Sequence, residues 1–174
     1  MKTFSLDHPF PPGLSVREAR DSYLAENGFG MDQYDADSVT VNFWGIRFPV
    51  PNPPTRKIAI RYHDLHHVMT GYGTDPTGEA EISVWEFRRG IRAFGVYVRF
   101  IIFTGIILGF FHSPKAVWTA WKASKIGNPL PKPTMAHYES LLEKTLGELR
   151  REYGVPEQGL AGPRKLNLDA PKRT

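Results

Sequence analysis

The 15 prolines and 16 glycines of this chain of 174 residues constrain its fold most, because they divide it into short blocks. Proline lacks a backbone N–H and glycine favours turns, so helices and strands are expected to stop where these residues cluster. Such clusters lie at 9–13, 49–54, 71–73 and 127–133. The blocks between them have the length of ordinary helices or of a short hairpin.

The chain is long enough for one domain and too short for two ordinary domains. The proline-rich start predicts an irregular arm over residues 1–14. The end, rich in proline, glycine and lysine, predicts a disordered tail over residues 155–174. Residues 15–154 are expected to form a single helical domain. Hydrophobic residues make up 41% of the chain, which excludes global disorder.

Capping signals and helical periodicity predict a mainly α fold, a helical bundle in which an antiparallel helix pair carries a metal site. Ser15 and Glu18 have the spacing of a capping box, and Gly28 follows at the expected end of that helix. Asp75 and Pro76 form a second start signal. The expected helices cover about 15–27, 55–69, 76–90, 93–111, 114–126 and 135–153.

Residues 37–50 have a different pattern, in which apolar and polar residues alternate on both sides of Gly45. Alternation is typical of strands with one buried face, so we expect a small β-hairpin near 37–50. The proline run from Pro49 to Pro54 is expected to end it, since proline cannot donate to a ladder.

The most apolar stretch is 93–111, and three interpretations of it stay open. A helix buried in the helical core is favoured, a helix inserted in a membrane interface comes second, and a membrane span comes last, because Arg99 interrupts the run. Arg88, Arg92 and Arg99 would lie near one helical face beside Phe100 and Phe103. Such a face suits anionic lipid headgroups, although a solvated helix face explains it equally well.

Charge and cysteine content exclude several classes of function. The net charge of +4 favours an anionic partner, but basic and acidic residues are mixed and no stacking platform is visible, so nucleic acid is not expected. The chain has no cysteine, which excludes disulfides, thiolate metal sites and cysteine nucleophiles. The first residues contain no apolar run of signal-peptide length. We expect a cytoplasmic protein, not a secreted one, that associates peripherally with the inner face of the membrane.

Four residues between positions 61 and 79 have the pattern of a metal site. His63 and His67 are four residues apart, so on a helix their rings share a face and can bind one divalent ion. Asp64 lies about 100° round the helix, close enough for its carboxylate to turn toward the same ion. The glycine turn then reverses the chain, which brings Glu79 level with the two histidines. Zinc is the expected occupant, and iron or manganese would accept the same ligands.

The neighbouring histidine and carboxylates are not predicted to be metal ligands. His66 is a spare, since a helix cannot point three such rings at one ion, and Glu81 and Glu86 are interpreted as structural helix-face charges. Zinc peptidases place Glu directly after the first histidine, where this chain has Asp64. Phosphohydrolases built on a His-Asp pair need a further upstream histidine, and here only His8 precedes the motif.

The same segment resembles the coenzyme Q (ubiquinone) biosynthesis protein 4 family, in which His-Asp-x-x-His is followed by eleven residues and then Glu. The matching residues here are His63, Asp64, His67 and, after residues 68–78, Glu79. The filling residues 70–75 and Gly78 also resemble bacterial members of that family. Weaker similarity lies in residues 18–28 and 138–155. The chain resembles a short, divergent member.

The resemblance implies an all-α fold, a zinc-type ion on those four residues, a hydrophobic cleft for a prenyl tail and peripheral attachment to a membrane. The family organises the ubiquinone biosynthetic complex and is credited with removing the carboxylate from ring carbon one of a prenylated hydroxybenzoate, with hydroxylation there. A member would act as a metal-dependent oxidative decarboxylase or as a scaffold. Its partners would be the polyprenylated precursor, the membrane, other quinone-biosynthesis proteins and a second copy of itself.

Two other functions stay open at this point. One is an isoprenoid- or lipid-binding module whose ion is purely structural, and the other is a metal-dependent hydrolase of another substrate. Both use the same four residues, so sequence spacing alone does not separate them.

Overall fold

The computed structural model describes residues 10–43, 46–124 and 127–161. Within these residues the chain forms seven α-helices and one two-stranded antiparallel hairpin, which confirms the mainly α fold class. The elements in chain order are α1 (Val16–Asn27), a 3₁₀ helix (Met31–Tyr34), β1 (Ser38–Phe43), β2 (Ile46–Pro51), α2 (Pro54–Thr70), α3 (Pro76–Arg89), α4 (Val96–His112), α5 (Pro114–Ala123), α6 (Met135–Leu142) and α7 (Leu146–Glu152).

Helix α1 begins and ends where its sequence signals predict. The Ser15 side chain accepts a hydrogen bond from the Glu18 backbone N–H, and the Glu18 carboxylate accepts one from the Ser15 N–H. Gly28 follows the helix in the left-handed conformation, with φ of 69°. This cap is a local device, which explains why the sequence alone predicts it.

The hairpin is confirmed, and its second strand includes the first prolines of the proline run. Strand β2 includes Pro49 and Pro51, which pair with Thr40 and Ser38. Alternate residues of a two-stranded ribbon point their nitrogens to its outer edge, where no ladder N–H is needed. Two prolines spaced by two therefore fit the strand, which ends at Pro51, within the proline run that was expected to end it.

The turn between α2 and α3 depends on glycine. Gly71 ends α2 with φ of 79°, and the Asp75 side chain caps α3 by accepting from the Gly78 N–H. A Cβ atom on Gly78 would lie 2.0 Å from the carbonyl oxygen of Gly73. Only glycine therefore lets the turn fold against the first turn of α3, which carries Glu79.

Helix α4 lies at the surface, so the favoured prediction of a buried helix is wrong. Only Val98, Ile102 and Gly109 on α4 are buried. The side of α4 that faces α3 is narrow, and most of its large apolar side chains are in contact with solvent. The exposed ones are Val96, Phe100, Ile101, Phe103, Ile107, Phe110 and Phe111. Among the described helices, none combines the length and the apolar character that a membrane crossing requires.

The last predicted helix is two helices, because a second capping box interrupts it. The Thr145 side chain accepts from the Glu148 N–H, and the Glu148 carboxylate accepts from the Thr145 N–H, which starts α7. The predicted tail also begins too early. Residues 155–161 pack on the core, where the Leu160 N–H donates to the Thr70 carbonyl at 2.7 Å. The rest of that tail, the first nine residues of the arm and Lys125 lie outside the described residues.

One buried side chain joins these segments to α2. Arg150 on α7 is fully buried and donates to the backbone carbonyls of Met69 and Phe10 at 3.0 and 2.9 Å. It also donates to the carbonyl of Glu157 at 2.6 Å. The C-terminal end of α2, which carries the metal-site residues, is thereby fixed to both the arm and the final segment.

Candidate metal centre

Three of the four predicted ligands lie together between α2 and α3. The Nε2 atoms of His63 and His67 are 3.1 Å apart. A carboxylate oxygen of Glu79 lies 3.4 Å from His63 Nε2 and 3.8 Å from His67 Nε2. All three ligand atoms lie within 4.8 Å of one another, which is close enough for all three to bind a single metal ion.

Hydrogen bonds hold both rings with Nε2 turned toward the centre. Nδ1 of His67 donates to the carbonyl oxygen of Tyr72 at 2.9 Å, because a carbonyl can only accept. Nδ1 of His63 lies 3.0 Å from the carboxylate of Glu86 and donates to it. In the neutral rings the protons therefore sit on Nδ1, and each Nε2 offers a lone pair to a metal.

The charges of the centre are coupled. Burial opposes ionisation of Glu79, but interaction with His63 at 3.4 Å and with His67 nearby outweighs burial and holds the pKa of Glu79 far below its ordinary value. Burial alone would lower the pKa of His63, but the carboxylates of Glu86 and Glu79 outweigh it and raise that pKa well above its ordinary value. Without a metal, the site is thus held together by charge-assisted hydrogen bonds. A divalent ion would replace the His63 proton.

The Asp64 carboxylate contacts two tyrosine hydroxyls and is not one of the three grouped ligands. One of its carboxylate oxygens accepts from the Tyr34 hydroxyl at 2.5 Å, and the other lies 3.5 Å from the Tyr23 hydroxyl. Burial raises the pKa of Asp64 above its ordinary value. The structure therefore brings together His63, His67 and Glu79 and leaves Asp64 beside them. Its role as a ligand stays a prediction.

The interpretation of Glu86 as a helix-face charge is wrong. Its carboxylate is buried and accepts from Nδ1 of both His63 and His66, at 3.0 and 2.7 Å. Glu81 is buried as well, so it is not a solvated charge either. The sequence does contain a signal for Glu86, which follows Glu79 by seven residues. Seven residues are about two helical turns, so both carboxylates lie on the same face of α3.

A cavity of about 420 Å³ opens beside His63 and Glu79 and continues along α4. Glycines let α4 approach α3 and form its wall. A Cβ on Gly105 would lie 2.6 Å from Ser83 Oγ, and one on Gly109 would lie 2.1 Å from Ala80 Cβ. The polar end of the cavity is lined by His63, Asp64, Glu79, Glu86, Tyr23 and Tyr34, and the apolar wall by Phe94, Val98, Ile101, Ile102 and Leu108.

The residues proposed for lipid contact do not form one stripe. Arg88 lies in the last turn of α3, and its guanidinium lies over the ring of Trp121 on α5 at 4.2 Å. The loop between α3 and α4 separates Arg88 from Arg92 and Arg99, since α3 ends before Gly90. Arg92 and Arg99 instead line a separate shallow groove with the exposed Phe100 and Phe103. The groove and the cavity lie on different sides of α4.

Comparison with protein-family models, with curated proteins and with solved structures finds no match. Two imidazoles and one carboxylate form a ligand set that zinc, iron and manganese share, and His63 and Glu79 of this set line the cavity. Glu79 keeps 43% of its side chain exposed, so a small molecule in the cavity reaches this ligand.

Proposed function

We propose that this chain is a metal-binding protein of ubiquinone biosynthesis that binds a polyprenylated benzoate or quinone precursor. The observation that supports the proposal is the cavity, which has two of the three ligands, His63 and Glu79, at one end and the apolar wall of α4 along its length. A molecule with a polar ring and an apolar tail would match the polar end and the apolar wall of this cavity.

The ring end of the ligand belongs at the metal centre. A divalent ion bound by the three residues would polarise a carboxylate or ring oxygen. Tyr23 and Tyr34 line the same end of the cavity, where their rings exclude water. Asp64 accepts the Tyr34 hydrogen bond there and keeps that hydroxyl in place.

The tail end belongs along α4, which separates the cavity from the apolar surface of the molecule. Val98 and Ile102 face the cavity, while Phe100 and Phe103 are 67% and 52% exposed. A surface of this kind attaches peripherally to a membrane when basic residues flank it. The substrate tail would then reach the cavity from the bilayer that holds it.

The rival function is an isoprenoid-binding module whose ion only stabilises the α2–α3 pair. The two functions differ in whether the ion contacts the ligand. The exposed Glu79 carboxylate favours contact, since a purely structural ion has no need of a ligand open to the cavity.

The test is purification without chelator, followed by elemental mass spectrometry of the bound metal and mass spectrometry of the extracted lipid. About one equivalent of metal is expected in the native chain and in a His137→Ala control, which removes a histidine bonded to Tyr62 outside the centre. His63→Ala and Glu79→Ala are expected to lose the metal and, with it, the affinity for a prenylated hydroxybenzoate. Loss of metal with full retention of that affinity would favour the structural ion. A His63→Ala chain that keeps metal and quinone production would contradict the proposal.

A further inference from the structure

We propose that Glu86 is the positioning residue of this centre, which fixes the His63 ring so that Nε2 faces the ion. The inference rests on the proposed metal site and adds to it a residue that is not itself a ligand. It begins from one observation, that a single buried carboxylate oxygen accepts hydrogen bonds from two histidines, His63 and His66.

Glu86 is placed where it can act on His63 but not on the metal itself. It contacts Nδ1, while the ligand atoms His67 Nε2 and Glu79 Oε2 lie around Nε2, on the other side of the imidazole ring. A carboxylate bound at Nδ1 fixes the tautomer and the orientation of the ring. Glu86 is only 2% exposed, so water does not compete for this hydrogen bond.

His63 depends on this contact more than His67 does. His67 has a fully buried side chain, stacks on Tyr23 with ring centroids 5.7 Å apart, and donates to the Tyr72 carbonyl. The His63 side chain is 26% exposed and faces the cavity. Packing therefore fixes the His67 ring, whereas the orientation of the His63 ring is determined by Glu86.

His66, the spare histidine of the motif, acquires a role in the same arrangement. Its Nδ1 donates to the Glu86 oxygen at 2.7 Å, and its ring packs on Trp85 with centroids 5.1 Å apart. Glu86 is thus held by a buried partner on the side away from the ion. This explains why three histidines occur within five residues although only two face the ligand group.

Charge leads to the same assignment. Two neutral imidazoles and the Glu79 carboxylate give one negative charge against the two positive charges of a divalent ion. Glu86 supplies the second negative charge from a buried position, where an uncompensated charge would be costly. Loss of the Glu86 charge should weaken metal binding even where the hydrogen bond to His63 is retained.

The experiment measures zinc and cobalt affinity of the full chain by competition with a chromogenic chelator. Glu86→Ala removes both the hydrogen bond and the charge, and we expect it to weaken binding about 10–100-fold. Glu86→Gln keeps an oxygen that accepts from Nδ1, so its loss should be smaller than that of Glu86→Ala. Glu81→Gln, which neutralises another buried carboxylate of α3, is the matched control and should bind as the native chain does.

A second measurement separates positioning from simple destabilisation. In the native chain loaded with zinc, ¹⁵N NMR should show His63 protonated at Nδ1 and metal-bound at Nε2, and in Glu86→Ala that Nδ1 proton signal should disappear or exchange. Unchanged affinity and an unchanged His63 signal in both Glu86 variants would overturn the inference and leave the metal site standing. A native chain that binds neither zinc nor cobalt would overturn the metal site itself and the inference with it.

Discussion

His67 and Tyr72 are joined by a hydrogen bond across the end of α2, in which the ring Nδ1 donates to the backbone carbonyl at 2.9 Å. The glycine turn therefore does more than reverse the chain, because its backbone supplies the acceptor that orients a metal ligand. The conformation of the turn and the metal affinity should change together.

Substitution of Gly78 tests this connection. The Cβ of Gly78→Ala would overlap the Gly73 carbonyl, so we expect the turn to shift, the protein to lose about 1–3 kcal/mol of stability, and zinc binding to weaken. Thermal unfolding and chelator competition measure the two effects. Gly13→Ala is the control, since nothing lies within 4 Å of its Cβ. A stable Gly78→Ala chain with native zinc affinity would show that the turn does not orient His67.

The hydrogen bond between Tyr34 and Asp64 is the basis of a second prediction. Because both carboxylate oxygens of Asp64 face tyrosine hydroxyls, Asp64→Asn should retain about one equivalent of metal where His67→Ala does not. Tyr34→Phe leaves a buried acceptor short of a donor and should cost about 1–3 kcal/mol of stability. Elemental analysis and chemical denaturation check these outcomes. Equal loss of metal in Asp64→Asn and His67→Ala would establish Asp64 as the fourth ligand.

The sequence predicted the features of the fold that are local. The cap at Ser15, the start at Asp75 and the spacing of His63 and His67 each depend on residues within four positions, and each is found as expected. The break before α7 also has a local cause, since Thr145 and Glu148 form a capping box. It was missed because leucines continue at helical spacing on both sides of the break, from Leu141 to Leu149.

The features that sequence reasoning missed depend on tertiary contacts. Glu86 looks like a solvated charge until α2 is packed against α3, and no local pattern predicts that Tyr34 of the 3₁₀ helix donates a hydrogen bond to Asp64. The apolar run of α4 predicts burial, but hydrophobicity does not say how many neighbours a helix has. Its exposed phenylalanines are a result of the packing.

The raised pKa of His63 predicts a pH dependence for metal binding. Its proton must leave before Nε2 can bind zinc, so below the pKa of His63 the affinity should fall about tenfold per pH unit. The metal-free protein should behave in the opposite sense. A raised folded-state pKa contributes stability that is fully present below the unfolded pKa of about 6.5 and is lost as pH rises through the folded pKa.

Zinc titrations of the native chain and thermal unfolding of its metal-free form between about pH 6 and 9 test both directions, and metal-free His63→Ala is the control that should lose the pH dependence of stability. The metal-free native chain should become less stable toward alkaline pH, while the zinc-loaded chain should not show that loss. An affinity independent of pH across this range would show that His63 carries no proton in the metal-free site.

The exposed face of α4 makes the last prediction. If Phe100 and Phe103 enter a membrane interface, replacing either with serine should weaken vesicle binding about tenfold or more, since burial of one phenylalanine is worth about 1.5–3 kcal/mol. Replacing Arg92 and Arg99 with glutamine should weaken binding to vesicles that contain anionic lipid and leave binding to neutral vesicles unchanged. Sedimentation with phosphatidylglycerol and phosphatidylcholine vesicles measures both effects. Met135→Ser, which removes an exposed apolar side chain on α6, is the control. Native vesicle binding in the phenylalanine variants would show that this face has another use.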